Sequence, residues 1–452
     1  MPRNLTKNPA ENPALRALIT QAGHITQTLA RDNNLRSLAD YAHLGDSLIK
    51  NGVPLLNLAS NDYLGLAGLS HAITAPHLPS DKLDMPTYAP THEQEAKDLA
   101  ARFWEFAKAH AIDIGDFSLG SGSSRSLSGG YLVWERFEAA LQQCFAPKHA
   151  LLFNSGYHCN ISCLCALGRL EGVGILIDEY AHASMFDGIL QAKAMNKSLW
   201  WKRFKHNDMA HLQELLESNS ARFRHIVIVS EGVFSMDGDL CDLSGIIALK
   251  NRYNALLYLD EAHSIGVVGD DGLGLAKSLG LSDEVEFLVF TFGKALGSVG
   301  ACMLCAKELK ELFTNTARGL IYSTALPPLN VAFSFFAFCE LGNLGAQRAR
   351  LHSISKQARS KLESIIAPLE SKRLDSSPYV LGDLHIISLV LRTNSKALEC
   401  QDFLESRGIF ARAIKSPTIP SGTARIRFSL NASHSTLEPL YEALEYYANR
   451  IS

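Results

Sequence analysis

Between residues 150 and 306 the chain repeats one pattern: a short unbroken apolar run, then a longer stretch in which apolar positions recur every three or four residues. The runs are Ala150 to Phe153, Gly174 to Asp178, His225 to Ser230, Ala255 to Asp260, Glu286 to Phe292 and Ala301 to Ala306. Strands read as continuous rather than alternating apolar runs when helices cover both faces of a mostly parallel sheet. Leu243 to Tyr253 has the helical spacing of a crossover between two such strands. The pattern predicts an α/β fold built around a large, mostly parallel sheet covered by helices.

The flanks read differently. The first fifty or so residues form an amphipathic helical arm leading to a short strand at Val53 to Leu58. Prolines then cluster from Pro76 to Pro90 in an irregular surface loop, and a helix follows from about His92 to Ala109, with Thr91 as its cap. Past Pro327 and Pro328 come a long helical region, strands at His385 to Leu391 and Ala424 to Leu430, and a closing helix from Leu437. The expected division is an N-terminal arm over 1–60, a large domain over 61–325 with an insertion at 70–115, and a smaller C-terminal α+β domain over 326–452.

The 452 residues are 47% hydrophobic and 20% charged, with a formal net charge of -3. That balance gives no general attraction to nucleic-acid backbones or anionic lipid, so neither nucleic acid nor membrane is an expected partner. No unbroken apolar run reaches the roughly 18 residues that span a bilayer, and the first residues lack the apolar core of a secretory signal. A cytoplasmic location is expected. Nine cysteines, an odd number, several of them inside apolar runs, are expected as reduced thiols. Cys302 and Cys305 form a C-x-x-C with no second pair beside it, so a core strand, and no metal site, is expected there.

Candidate chemistry begins with Lys294, which follows an apolar strand and sits among small residues in TFGKALGSVGA. Asp260, in LYLDEAHS, likewise ends an apolar strand, and His263 follows three residues later. An open α/β sheet places its ligand crevice at the carboxyl ends of its strands. An amine, a carboxylate and an imidazole delivered there suit pyridoxal phosphate (PLP): the lysine for a Schiff base, the carboxylate to keep the pyridine nitrogen protonated. Two glycine-rich stretches, GVVGDDGLG and GSGSSRSLSGG, lack the lysine-serine/threonine ending or acidic partner of nucleotide-binding loops. The basic, aromatic LWWKRFKHND has the composition of a nucleic-acid patch but reads more plainly as a solvated face.

LASNDYLGL, GSGSSRSLSG, NSGYHCN, DEYAHAS, SEGVFSMDGD, LDEAHSIGVVG and TFGKALGSVGA occur in that order, and together they resemble the α-oxoamine synthases from about Leu58 to the C-terminal RIRFSLNASH. The resemblance implies PLP fold type I, as in aspartate aminotransferase, and a homodimer with active sites at the subunit interface. It also implies decarboxylative condensation of a small amino acid with an acyl thioester.

Carried over position by position, Lys294 matches the Schiff-base lysine, which also moves the α-proton. Asp260 matches the pyridinium partner, His263 the partner of the ring hydroxyl, and His182 the imidazole stacked on the ring. Gly156, Tyr157 and Thr291 match phosphate contacts, while Glu231 and Ser235 match positions lining the ring, Ser235 in direct contact. Arg427 matches the arginine that binds the amino-acid carboxylate. Arg425 lies two residues away on the same side of a strand, so the spacing leaves both open. Asn61 and Tyr63 match a segment near the active site that can serve the partner subunit.

Within the family, TFGKALGSVGA and GLIYSTALPP follow the members of biotin synthesis, implying L-alanine and a pimeloyl thioester of coenzyme A or acyl carrier protein. Relatives that acetylate glycine differ in the second segment. Non-catalytic partner subunits lack the lysine, so Lys294 argues against that role. Two departures bear on the acyl group: the interval from Asn61 to Gly120 is about twice the family's, and Ser126 stands where relatives carry histidine or a larger apolar residue.

Overall fold

The computed structural model describes residues 12–36, 38–44, 46–70, 73, 93–112, 114–370 and 379–451. The proline-rich stretch and Thr91 lie outside them. An exposed helix, Pro13–Arg31, leads into three short strands, β1 (Ala42–Leu44), β2 (Ser47–Lys50) and β3 (Val53–Asn57), which pair antiparallel in sequence. After the helix Glu93–Ala109, all six expected apolar runs enter one sheet: β4 (His149–Phe153), β5 (Val173–Asp178), β6 (Trp200–Phe204), β7 (His225–Glu231), β8 (Leu256–Asp260), β9 (Phe287–Thr291) and β10 (Ala301–Cys305). The added member, β6, is one of the two edge strands of the order β4-β10-β9-β8-β7-β5-β6. Two half-buried tryptophans are followed by exposed Lys202 and Arg203 and then by buried Phe204, so it carries no unbroken apolar run.

Every strand of this sheet runs parallel except β10, which pairs antiparallel with β9 and β4. Successive side chains leave a strand on opposite faces, and here both faces are buried. Leu176, Ile228, Leu257 and Leu288 join one apolar cluster, while their neighbours Ile177, Val229, Tyr258 and Val289 join the other. The C-x-x-C follows the same rule. Cys302 and Cys305, three apart, enter opposite clusters and are both free thiols, so they cannot grip one ion.

The C-terminal strands β11 (Val380–Leu381), β12 (Ile386–Arg392), β14 (Arg412–Ile414) and β15 (Ala424–Ser429) form an antiparallel sheet in the order β11-β12-β15-β14. Between them in sequence, β13 (Ile409–Phe410) leaves to pair parallel with β3, Ile409 opposite Leu56. The first sixty residues are thereby tied to the last fifty.

The helical stretch Pro328–Ala367 is, by length and composition, apolar enough to cross a membrane, with a window of mean hydropathy 1.3. Polar residues such as Asn330, Ser334 and Glu340 break it into shorter apolar runs. Of that window 56% is buried in the protein, where Phe335 and Phe336 meet the rings of Phe103, Phe106 and Phe137. The stretch is a core helix.

Glu138, on the helix Leu132–Cys144, ties three elements to the sheet. It accepts from Arg125 Nη1 at 2.5 Å, from Lys310 Nζ at 2.9 Å and from the backbone N–H of Leu152 at 3.1 Å. Burial alone would raise its carboxyl, but the two cations hold it below its ordinary value. Arg125 belongs to the GSGSSRSLSG loop, so this contact also fixes that loop on the sheet. Glu138→Ala, which strips a buried carboxylate from two cations and an N–H, should lower unfolding stability by about 3 kcal/mol, read as a fall in the urea midpoint.

Candidate active site

The parallel strands deliver their functional residues along one edge. Asp260 ends β8 and Glu231 ends β7, while Lys294, His182 and Gly156 each follow within a few residues of the ends of β9, β5 and β4. A continuous hydrogen-bonded line starts at Lys294. Its Nζ lies 2.6 Å from His263 Nε2, His263 Nδ1 lies 2.6 Å from the Tyr63 hydroxyl, and that hydroxyl is 3.0 Å from Asn61 Oδ1. Arg427 closes the line, donating from Nη2 to Asn61 Oδ1 at 3.1 Å and to the Tyr63 oxygen at 3.4 Å. Asn61 and Tyr63 therefore stand beside Lys294 of their own chain, where the sequence left the partner's site open.

The electrostatics follow from burial. Lys294 keeps some surface open to the cleft, yet loss of water pulls its pKa down to about 8, despite the opposing pull of Asp260 and Glu231; Arg427 adds to the drop. Burial, and then the charges of Lys294 and Arg427, push His263 well below the ordinary imidazole range. His263 is thus neutral, with one N–H and one lone pair. A protonated Lys294 donates to Nε2, leaving Nδ1–H to donate to Tyr63, whose proton then goes to Asn61. A neutral Lys294 reverses the direction. Burial lifts the Tyr63 phenol to about 12, against the pull of Arg427, so its proton stays in this line.

Around Asp260, three polar residues appear that the motif reading did not single out. Asn160 Nδ2 donates to Asp260 Oδ2 at 2.6 Å and to Ser184 Oγ at 3.0 Å, while its Oδ1 accepts from the Tyr258 hydroxyl at 2.8 Å. Ala262 N–H donates to the other carboxylate oxygen at 2.9 Å. The signal for Asn160 was present: an amide on the buried side of the helix Gly156–Leu167, inside NSGYHCN.

The other expected residues occupy distinct positions. His182 is exposed at the cleft, capping the helix Ala183–Met195 with its ring and donating its backbone N–H to Glu231 Oε1 at 2.5 Å. Burial, reinforced by Asp260, lifts Glu231 well above the usual carboxylate range. Ser235 is buried and meets Arg427 through its backbone, its carbonyl accepting from Nε at 2.6 Å. Gly156 and Tyr157 open the helix that Ser155 caps, and Gly156 lies against Thr291. The Tyr157 side chain itself turns away to donate to Asp187 Oδ2 at 2.7 Å. The Thr291 hydroxyl donates to Gly300 O at 2.8 Å.

Arg425 is engaged elsewhere. It forms a buried ion pair with Asp237, whereas Arg427 faces Asn61 and Tyr63. The loop bearing Ser235 turns at Gly238, with φ +77°, where a Cβ would sit 2.1 Å from the Ile386 carbonyl. Only glycine permits that approach of loop to small sheet. Among the described residues one trio, His206, Asp237 and Asp239, has metal-ligand proximity. Burial works against protonation of His206, but hydrogen bonds to Asp178 and Asp239 lift it to about 9, and a protonated imidazole has no lone pair to offer.

The donor set fits PLP. It offers an amine of lowered pKa for the aldehyde, a carboxylate held by Asn160 and Ala262 for the pyridine nitrogen, and a capped helix N-terminus beside Thr291 for the phosphate.

Residues 53–444 match the family model described as aminotransferase class I and II. The chain belongs to that family. An 8-amino-7-oxononanoate synthase from Haemophilus ducreyi is 39% identical over 89% of this chain and 94% of its own. A Glaesserella parasuis relative, provisionally given the same name, is 40% identical over 90% of this chain and 94% of its own. Among solved structures, the serine palmitoyltransferase of Sphingomonas wittichii covers 97% of this chain and 98% of its own, with a TM-score of 0.74 at 25% identity. The chain is an α-oxoamine synthase of this PLP-dependent family, an acyltransferase in activity.

The amine must be neutral to capture the cofactor aldehyde. With Lys294 at about 8, about one lysine in ten is neutral at pH 7, against far fewer than one in a hundred at the ordinary lysine value. The rate at which the apoprotein gains visible PLP absorbance should rise with pH and level off above about 8. A rise continuing to pH 10 would contradict the lowered amine.

Proposed function

We propose that this protein is an 8-amino-7-oxononanoate synthase, a cytoplasmic homodimer that joins L-alanine to a pimeloyl thioester of coenzyme A or acyl carrier protein. The observation that carries the reading is the line from Lys294 through His263, Tyr63 and Asn61 to Arg427, which joins an amine suited to proton transfer to a guanidinium suited to a carboxylate. Sequence identity near 40% to proteins bearing that name supports the choice of substrates.

Arg427, steadied by Ser235 and Ser429, takes the alanine carboxylate in a fork. Bound PLP supplies the electron sink for the α-carbon. Asp260 holds the proton on the ring nitrogen, and Asn160 holds Asp260. The Lys294 amine removes the α-proton; its depressed pKa leaves it able to accept and return a proton near neutral pH. The α-carbon then bonds to the acyl carbonyl carbon and the thiol leaves with a proton. The carboxylate departs as carbon dioxide, and a proton replaces it to give the aminoketone.

Titrating the holoprotein with L-alanine and with glycine while following cofactor absorbance tests the amino acid, and product assay with pimeloyl thioester tests the acyl group. Alanine should saturate at the lower concentration, and Lys294→Ala should lower turnover by at least about a thousandfold. A glycine preference would reassign the protein to an acetyl-transferring relative, and turnover retained in Lys294→Ala would remove the amine from the chemistry.

A further inference from the structure

Tyr63 is the junction of the active-site line, its hydroxyl shared among His263, Asn61 and Arg427. A phenol can serve three partners only if its ring is held at one tilt. The ring that holds it belongs to His385, which packs edge-on with centroids 4.0 Å apart at 64°, closer than His263 at 6.0 Å. His385 immediately precedes β12, and its carbonyl accepts from the Leu430 N–H at 2.8 Å, three residues past Arg427 and just beyond the end of the paired β15. Its backbone is therefore fixed relative to the guanidinium that Tyr63 must reach.

His385 is also an anomaly as a packing residue. It is 1% exposed, and neither ring nitrogen has a hydrogen-bond partner among the described residues. Burial, then the charges of Arg427, His352 and Lys294, push its pKa well below the ordinary value, so it adds no further cation beside Arg427. A phenyl ring would fill the same place without burying unpaired polar atoms. Sequences that break a packing rule in this way do so at functional sites.

We propose that His385 is a positioning residue of the amino-acid subsite, holding Tyr63 where its hydroxyl meets both His263 and Arg427. The inference rests on the PLP reading above. Its test compares the wild-type holoprotein with His385→Phe, Tyr63→Phe and the double variant, by thermal melting and by L-alanine titration of cofactor absorbance. His385→Phe should melt no lower than the wild type, yet need roughly tenfold more alanine for half-saturation, in the range for coupled neighbours. In the Tyr63→Phe background the same change should add less than about twofold. If His385→Phe saturates like the wild type, or its full effect persists without the Tyr63 hydroxyl, the proposal falls. A wild type that takes up PLP and responds to alanine keeps the functional reading intact in either case; one that takes up no PLP overturns that reading and this inference with it.

Discussion

Lys294 and Arg427 are two cations in one water-poor cleft, and the residues around them answer that repulsion. Asp260 and Glu231 pull the lysine toward its charged form while desolvation and Arg427 push it away, leaving the amine at about 8. The groups between and beside the cations, His263 and His385, are driven neutral by the same lack of water. Such surroundings favour anions, and PLP and L-alanine, proposed to bind there, bring a phosphate and a carboxylate. The charge that these two cations bring together is the charge that would orient the ligands.

The central sheet makes this arrangement attainable. Parallel strands point their carboxyl ends the same way, so residues far apart in sequence, Glu231, Asp260 and Lys294, arrive at one edge without special loops. The antiparallel β10 contributes packing and brings no residue to that edge through its own end. The small sheet supplies the other pole, Arg427, and the loop carrying Ser235 reaches across to it through the close approach at Gly238.

Much of this was legible in the sequence because it depends on local pattern. The unbroken apolar runs located the buried strands to within a residue or two, and ordered motifs pointed to Lys294, Asp260, His263 and Arg427. What escaped depends on partners distant in the chain. The two-residue strands β11 and β13 exist only because longer strands accept them. The choice between Arg425 and Arg427 turned on Asp237, and Asn160, Tyr258 and His385 acquire meaning only when their neighbours are known. The mixed polarity of β6 belongs to a sheet edge, which an apolar-run criterion passes over.

The parallel pairing of β3 with β13 has a consequence for how the molecule comes into being. On the ribosome, Leu56 emerges some 350 residues before the Ile409 that pairs with it, so the first sheet waits with an open edge while the whole central sheet is synthesised. Asn61 and Tyr63 wait with it. The nascent chain can build its lysine end early, but it gains the arginine end only when synthesis is nearly done, so the line between them is among the last features the new protein completes.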